Sequence, residues 1–284
     1  MQTLRIAAAM LHTPVGRPDE NLAAVRDWTR RARRAGARLI CFPEMTLTGY
    51  TTRRTLARHA LRLDGPQAAA LGRLAAEERV TLLVGAAEPA PEGRLYAAHW
   101  VVRPDAPPAV YRKTHIAPPE IDLLAPGNHV PLFEAEGLRF GIQLCYDAHF
   151  PELSAHMAWR GADVIFFPHA SPRGTPVEKL HSWMRHLTAR AFDNSVYVVA
   201  CNQVGDNGVG LAFPGTALVI SPSGDVLAQD TSGREGLLVV DLEAGLLEHV
   251  RGHRMRHFFP NRRPDLYRRL LQQQCEGRPT PGNA

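Results

Sequence analysis

Three residues of this chain have side chains that could share covalent chemistry: Glu44, Lys113 and Cys145. Cys145 follows the apolar run "LRFGIQL" and begins "CYDAHFPE", which opens a helix. A thiol at a strand end just before a helix lies near the helix's positive end and its free backbone N–H groups. These lower a thiol pKa and can cradle an oxyanion. A free cysteine is also commonly a small buried hydrophobe, and position alone leaves the two readings balanced. Glu44, in "LICFPEMTLTGY", lies just beyond a second apolar run. A carboxylate at a strand's carboxyl end faces the crevice where α/β folds bind ligands, and partial desolvation there raises its pKa toward that of a useful general base. The plainer alternative for Glu44 is a neighbour of a helix N-cap. Lys113 follows a third run, "PAVYRK", and it and Lys179 are the only lysines in a Lys+Arg total of 33. Either Lys113 escaped a drift toward arginine, or a compact ammonium is required where a planar guanidinium would not serve.

The elements that must position these residues follow from apolar periodicity. The runs "LRIAAAM", "RLICF" and "VTLLVGAA" alternate with helical patterns in "ENLAAVRDWTRRARRAGA" and "QAAALGRLAAEE", which predicts α/β architecture. From Tyr96 to Leu144 come shorter strands, "YAAHWVVRP", "PAVYRK", "VPLFEAEG" and "LRFGIQL", separated by Pro- and Gly-rich turns, so antiparallel pairing enters the sheet. Helices over about 151–160 and 177–194 lead into "ADVIFFP" and "VYVVACNQ". A hairpin through Ser-Gly in "GTALVISPSGDVLAQD" and a last strand "GLLVVDL" close the pattern. A tail over 251–284, with a short helix near "PDLYRRLLQQQ", reads as peripheral to one domain over 1–250.

Composition narrows the function classes. With 284 residues the chain can bury one large core, and nothing in it demands a second. No apolar run approaches the about 20 residues of a membrane span, and the N-terminus reads as a first strand rather than a secretory signal, so a cytoplasmic protein without membrane partner is expected. The net charge of +5 and "RRARR" at 30–34 raise nucleic acid as a partner. Leu22, Val25, Trp28 and Ala32 recur at helical spacing, however, which puts most of those arginines on a solvated helix face, and no nucleic acid is expected. Cys41, Cys145, Cys201 and Cys275 lack CxxC spacing, so neither zinc nor a disulfide framework is indicated. The segment "GDNGVGLAFPG" has Phe213 where a dinucleotide loop needs its third glycine. There is no GxSxG elbow. His253 and His257, at i and i+4 around "RMR", read as a surface pair rather than metal ligands.

Taken together, "FPEMTLTGY" around Glu44, "YRKTHI" around Lys113 and "GIQLCYDAHFPE" around Cys145 resemble the nitrilase superfamily of carbon–nitrogen hydrolases, whose catalytic set is Glu, Lys and Cys in that chain order. Lesser echoes are "RGADVIFFPHAS", "ARAFDNSVYVVACNQVG" and "FPGTALVISPSGDVL", and the resemblance covers residues 1 to about 245. It implies a four-layer α-β-β-α sandwich. Cys145 would be the nucleophile, Glu44 the proton acceptor, and Lys113 with the Tyr146 N–H the oxyanion stabilisers. Glu120 matches a further glutamate that positions substrate in amidase-like members. No cofactor or metal is implied, because thiol, carboxylate and ammonium complete the chemistry.

Members resembling true nitrilases usually have Trp then Glu after the nucleophile; here Tyr146 and Asp147 follow it, which tilts the expectation to an amide or N-carbamoyl compound rather than a nitrile. A non-catalytic ligand-binding member of the fold would be expected to lose at least one of the three residues, and all three are present. Carbamoylases of this kind carry an arginine pair where Ala148 and His149 stand; Arg173 is the substitute candidate, with an exposed loop charge as its alternative. Tyr50, His149 and His169 are further candidate pocket residues, and a packed, hydrogen-bonded histidine is the competing reading for the last two. The resemblance also implies association through a helical layer, as a homodimer or larger even oligomer, with the tail reaching across a partner.

Overall fold

The central strands are buried at nearly every residue, which is what a sheet covered on both faces demands of its sequence. The structure, a computed structural model, describes residues 1–276. Its first half runs β1 (Leu4–Met10), α1 (Pro18–Arg34), β2 (Leu39–Cys41), α2 (Pro66–Glu78), β3 (Thr81–Pro89), β4 (Leu95–Arg103) and β5 (Ala106–Arg112). The second runs β6 (Phe133–Ala135), β7 (Leu138–Ile142), α3 (Pro151–Trp159), β8 (Val164–His169), α4 (Pro176–Asn194), β9 (Tyr197–Asn202), β10 (Val204–Asp206), β11 (Ala212–Pro214), β12 (Ala217–Ile220) and β13 (Val226–Asp230). The strand β14 (Gly236–Leu242) and helices α5 (Ala244–Gly252) and α6 (Pro264–Glu276) complete it.

Two six-stranded sheets result, ordered β14-β1-β2-β3-β4-β5 and β13-β12-β9-β8-β7-β6. Each has three adjacent parallel strands, β1-β2-β3 in one and β7-β8-β9 in the other, with antiparallel strands at the flanks. Alternation along β2 shows the layering. Ile40 joins Val25, Leu71 and Trp100 in a core under α1 and α2, whereas Leu39 and Cys41 turn to the other core, which holds the second sheet. The Cys41 and Cys201 sulfurs lie 4.0 Å apart in that second core, both fully buried as free thiols. With α3 and α4 packed beside the second sheet, this is the expected four-layer α-β-β-α sandwich.

Topology brings the chemistry to one end. Because β5 is antiparallel to β4, and β4 to β3, β5 runs in the direction of β2 and β3. The residues just beyond the carboxyl ends of β2, β5, β7 and β8 therefore include Glu44, Lys113, Cys145 and Ala170.

Several local expectations shift. The segment read as a strand over 130–137 pairs only at Phe133–Ala135, since Pro131 lacks the N–H a ladder needs. The glycine-rich stretch that lacks the third glycine of a dinucleotide loop forms the β10–β11 hairpin. The hairpin through Ser223 and Gly224 is present, with Gly224 at φ 85°. On α1, Arg26, Arg30, Arg31 and Arg34 lie on the exposed side, away from Val25, Thr29 and Ala32. The boundary drawn between residues 250 and 251 falls inside α5, where Arg251 bonds Asp163 at 2.8 Å and the Ser195 carbonyl at 3.2 Å. Of the tail, residues 277–284 lie outside the described residues; α6 exposes Tyr267, Leu270 and Leu271. No helix of the described residues is long and apolar enough to cross a membrane.

Candidate active site

The loop that carries Glu44 lies directly on β3, and glycine makes this possible. A Cβ on Gly85 would collide with the Met45 backbone nitrogen and lie 2.8 Å from the Pro43 carbonyl oxygen. The vacancy at Gly85 lets Leu47 N–H donate to the Gly85 carbonyl at 2.9 Å. Met45 takes a left-handed φ of 53°, and Gln203 Nε2 donates to the Glu44 carbonyl at 2.7 Å. The Glu44 side chain is thereby fixed with no solvent exposure. Its Oε1 accepts from Lys113 Nζ at 3.0 Å and its Oε2 from Ala170 N–H at 3.1 Å.

Lys113 is equally buried. Its N–H donates to the Ala97 carbonyl at 2.9 Å, continuing the β4–β5 ladder, while its carbonyl accepts from Gly127 N–H at 2.7 Å. The ammonium lies between two carboxyl groups, donating to Glu120 at 2.9 and 3.1 Å as well as to Glu44. Glu120 is held in turn by Tyr50 OH at 2.7 Å and Ala117 N–H at 3.1 Å. Burial alone would pull the lysine pKa down, but the Glu44 and Glu120 carboxylates outweigh it and hold Lys113 well above its usual value. At Glu44 burial dominates and the lysine only partly offsets it, so the carboxyl is pushed up to about 7.

Cys145 stands at φ 44°, a strained left-handed backbone for a residue with a Cβ. It opens a 3₁₀ turn over Cys145–His149, and α3 begins only at Pro151. The turn leaves the Tyr146 N–H at its N-terminal end, without a partner inside the turn. The turn is pinned by Asp147, which the sequence reading used only to weigh the substrate class. Its Oδ2 accepts from Leu144 N–H at 3.0 Å and Tyr111 OH at 2.7 Å; its Oδ1 accepts from Thr114 OH at 2.9 Å and His115 N–H at 2.8 Å. The nucleophile's loop is thus tied to the residues flanking Lys113. The expectation of a depressed thiol pKa is corrected. Desolvation comes first, the Glu44 carboxylate adds to it, and together they push Cys145 up to about 12 despite the opposing Lys113 charge. A five-residue turn supplies little of the aligned dipole that a long helix would.

One face of α4 runs past this turn. Lys179 Nζ donates to Ser171 Oγ at 2.8 Å, the Trp183 ring stacks on His169 at 4.3 Å, His186 lies 4.7 Å from His149, and Arg190 Nε donates to the Ala148 carbonyl at 3.1 Å. His169 is buried and neither of its ring nitrogens has a hydrogen-bond partner among the described residues. Burial holds its pKa well below the usual histidine value. His149 is exposed, and Tyr146 meets it edge to face at 5.5 Å. Arg173 is exposed, at φ 68° in the loop after β8. Lys179, Trp183 and His186 were not singled out from the sequence. Their spacing of i, i+4 and i+7 on a helix after "FFPHAS" was the available signal.

A buried carboxyl and ammonium and a half-buried thiol at one strand-end cluster suit attack on an acyl carbon, proton transfer and oxyanion stabilisation. Comparison with known proteins agrees in kind. Residues 5–251 match the carbon-nitrogen hydrolase family. The chain is 34% identical to a hydrolase of Mycobacterium tuberculosis over 256 residues, 84% of this chain and 89% of that one. It is 32% identical to an (R)-stereoselective amidase of Pseudomonas sp. over 75% of this chain and 76% of that one. Among solved structures, an amidase from Nesterenkonia sp. superposes with a TM-score of 0.81 at 26% identity, covering 94% of this chain and 96% of that chain. A mutant of that amidase carries the acetamide moiety of fluoroacetamide covalently added at its active-site cysteine.

Proposed function

The chain belongs to the carbon-nitrogen hydrolase family, and from that premise we propose that it hydrolyses the C–N bond of a small non-peptide amide or N-carbamoyl compound through a thioester on Cys145. The observation that carries this reading is the buried Lys113 ammonium between Glu44 and Glu120, beside a thiol in a strained turn.

The proton positions define the order of events. Burial and the neighbouring Glu44 carboxylate push the Cys145 thiol up, so the resting sulfur holds its proton beside the carboxylate. Proton transfer from sulfur to Glu44 therefore accompanies formation of the C–S bond rather than preceding it. Lys113 and the Tyr146 N–H stabilise the oxygen of the tetrahedral intermediate. Glu44 then returns the proton to the leaving nitrogen, and ammonia or an amine departs from the thioester. In the second half Glu44 takes a proton from water as the water oxygen attacks, and the carboxylic acid leaves as the C–S bond breaks, Glu44 returning that proton to the Cys145 sulfur. The Lys113 ammonium serves because it reaches both carboxyls and the oxyanion from one point, whereas a guanidinium fork favours a fixed bidentate pair with one of them. Tyr50 and Glu120 act through Lys113 by fixing where its charge sits.

The test is ammonia release by wild type and Cys145→Ala across aliphatic amides, ω-amides, N-carbamoyl compounds and nitriles, with intact mass spectrometry for an acyl adduct. The expected outcome is amide or carbamoyl turnover and an adduct in wild type, with turnover down at least about 10³-fold and no adduct in the variant. Turnover of nitriles alone, or undiminished turnover in Cys145→Ala, would sink the reading.

A further inference from the structure

Lys113 and Cys145 follow strands of different sheets, β5 and β7, so a reaction that needs ammonium and thiol in one fixed relation needs something to hold the two sheet ends in register. The structure puts that tie two residues beyond each of them, where His115 meets Asp147. The His115 N–H donates to Asp147 Oδ1 at 2.8 Å, and His115 Nδ1 lies 3.0 Å from the same oxygen. Thr114 adds its hydroxyl to Oδ1 at 2.9 Å. On the other oxygen, Tyr111 OH donates at 2.7 Å from just before Lys113, and Leu144 N–H at 3.0 Å from just before the nucleophile. The contacts close a ring that runs from Lys113 through Thr114 to His115, across to Asp147, and back through Tyr146 to Cys145. His115 also bears on the far end of the nucleophile's turn, since its ring stacks on Phe150 at 3.7 Å with 11° between the planes.

The tie is chemical as well as steric. Asp147 is fully buried and, among the described residues, forms no ion pair with Lys or Arg, so neutral donors and His115 are what compensate its carboxylate. A backbone N–H faces each of its oxygens, Leu144 on one and His115 on the other. A carboxylate accepts at both ends, whereas an amide of the same shape would turn its NH₂ onto a backbone N–H whichever way it lay. The turn held in this way carries Cys145 at φ 44°, a conformation that persists only where the surroundings over-determine it.

We infer that Asp147 and His115 are positioning residues whose clasp sets the Cys145 sulfur against the Lys113 ammonium and the Tyr146 N–H, and so sets where the oxyanion forms relative to its donors. The inference rests on the amide-hydrolase reading above and assigns what aligns that site. Oxyanion stabilisation is realised in the transition state, so a loosened clasp costs kcat more than KM. Alkylation of the thiol by direct displacement forms no oxyanion, and it should be largely spared.

The test is steady-state kinetics with butyramide and N-carbamoylglycine in wild type, Asp147→Asn, Tyr111→Phe and His115→Phe, beside the rate at which iodoacetamide alkylates Cys145, read by mass spectrometry of its peptide. Asp147→Asn should lose about 10²-fold in kcat with KM within about threefold, while alkylation slows by less than about tenfold. Tyr111→Phe and His115→Phe each remove one bond, the second keeping the ring on Phe150, and each should lose about three- to tenfold in kcat. Combined with Asp147→Asn, their losses should be less than additive, as members of one unit behave. A folded Asp147→Asn with kcat within about twofold of wild type overturns the inference. So does a variant in which turnover and alkylation fall together with the folded fraction, the mark of a purely structural role. If Asp147→Asn does not fold, the two phenylalanine variants decide: wild-type kcat in both overturns the clasp, and a loss in kcat at unchanged KM upholds it. Unaffected variants of an active wild type leave the amide reading standing, whereas a folded wild type that hydrolyses nothing, here or in the broader panel, overturns both.

Discussion

Two parts of the candidate site are built on opposite terms. In the strand-end cluster every carboxyl and the ammonium are paired: Glu44 with Lys113 and Ala170, Glu120 with Lys113, Tyr50 and Ala117, Asp147 with four donors. On the α4 side, among the described residues, both His169 nitrogens and His186 Nε2 are buried without partners, and Lys179 has a hydroxyl and a carbonyl but no counter-charge. The difference separates two tasks. Groups that must hold fixed positions through a reaction are saturated by the protein itself, because reorganising them at the transition state would cost rate. Groups that must receive a ligand are left with capacity to spare, and the protein carries the desolvation penalty until the ligand arrives.

The largest expected effect comes from unpairing the saturated side. Lys113→Met leaves two carboxyl groups facing each other in a site with no solvent exposure, and should destabilise the fold by about 3–5 kcal/mol as well as abolish turnover. Lys113→Arg keeps the charge, so its melting temperature should fall less, while turnover is still lost for want of room and of a single donor point. Lys179→Met, the same change on the α4 side, should cost under about 1 kcal/mol by denaturant unfolding, because a half-buried ammonium there gives up only two neutral partners. Equal losses at the two lysines would erase the contrast.

That contrast also explains what could be read from the sequence. Glu44, Lys113 and Cys145 were legible because each ends an apolar run, and because motifs around all three occur in one order. The sandwich itself followed only from that resemblance. Alternating strands and helices predict α/β architecture, but nothing in the local pattern says that β5 and β6 belong to different sheets. Asp147 was invisible as a strut because its partners, Tyr111, Thr114 and His115, come from a strand end more than thirty positions earlier. The thiol pKa was misjudged for a physical reason. Reading "CYDAHFPE" as the start of one helix supplied a dipole, whereas the chain makes a 3₁₀ turn first and surrounds the sulfur with carboxylates. Lys179 carried a signal in its rarity, yet its place beside the site depends on α4 facing the nucleophile's turn, which no spacing within α4 reveals.

A smaller effect distinguishes the two sides by pH. Glu44, raised to about 7 chiefly by burial, is protonated below that value and cannot accept the thiol proton. The expected profile of kcat/KM therefore falls as pH drops through about 7, by roughly tenfold per unit on the acid limb. The histidines on the α4 side cannot supply this limb. Burial pushes His186 down to about 4 and His169 well below its usual value, so both stay neutral through the range in question. A rate flat from about pH 5 to about pH 8 would move the proton acceptor away from Glu44; a limb that shifted in a His186→Gln variant would assign it to the α4 side.

The smallest effect is the sharpest test of the idea that the α4 side is unsaturated. His169→Phe keeps a flat ring against Trp183, where the centroids stand 4.3 Å apart at an interplanar angle of 28°, and removes two buried nitrogens that have no partner among the described residues. A buried polar atom with a partner costs its full desolvation when that partner is lost, but an atom without one already carries the cost in the native protein. Replacing it by carbon should therefore leave stability within about 1 kcal/mol of wild type, with the melting temperature level or higher, provided the slightly larger ring is tolerated. The matching change on the saturated side, Tyr50→Phe, removes a 2.7 Å bond to Glu120 and should lower stability by about 1–2 kcal/mol. If His169→Phe instead destabilised the protein by more than Tyr50→Phe, the His169 nitrogens would have a partner in solution, such as a buried water. The α4 side would then be as fully satisfied as the cluster it faces.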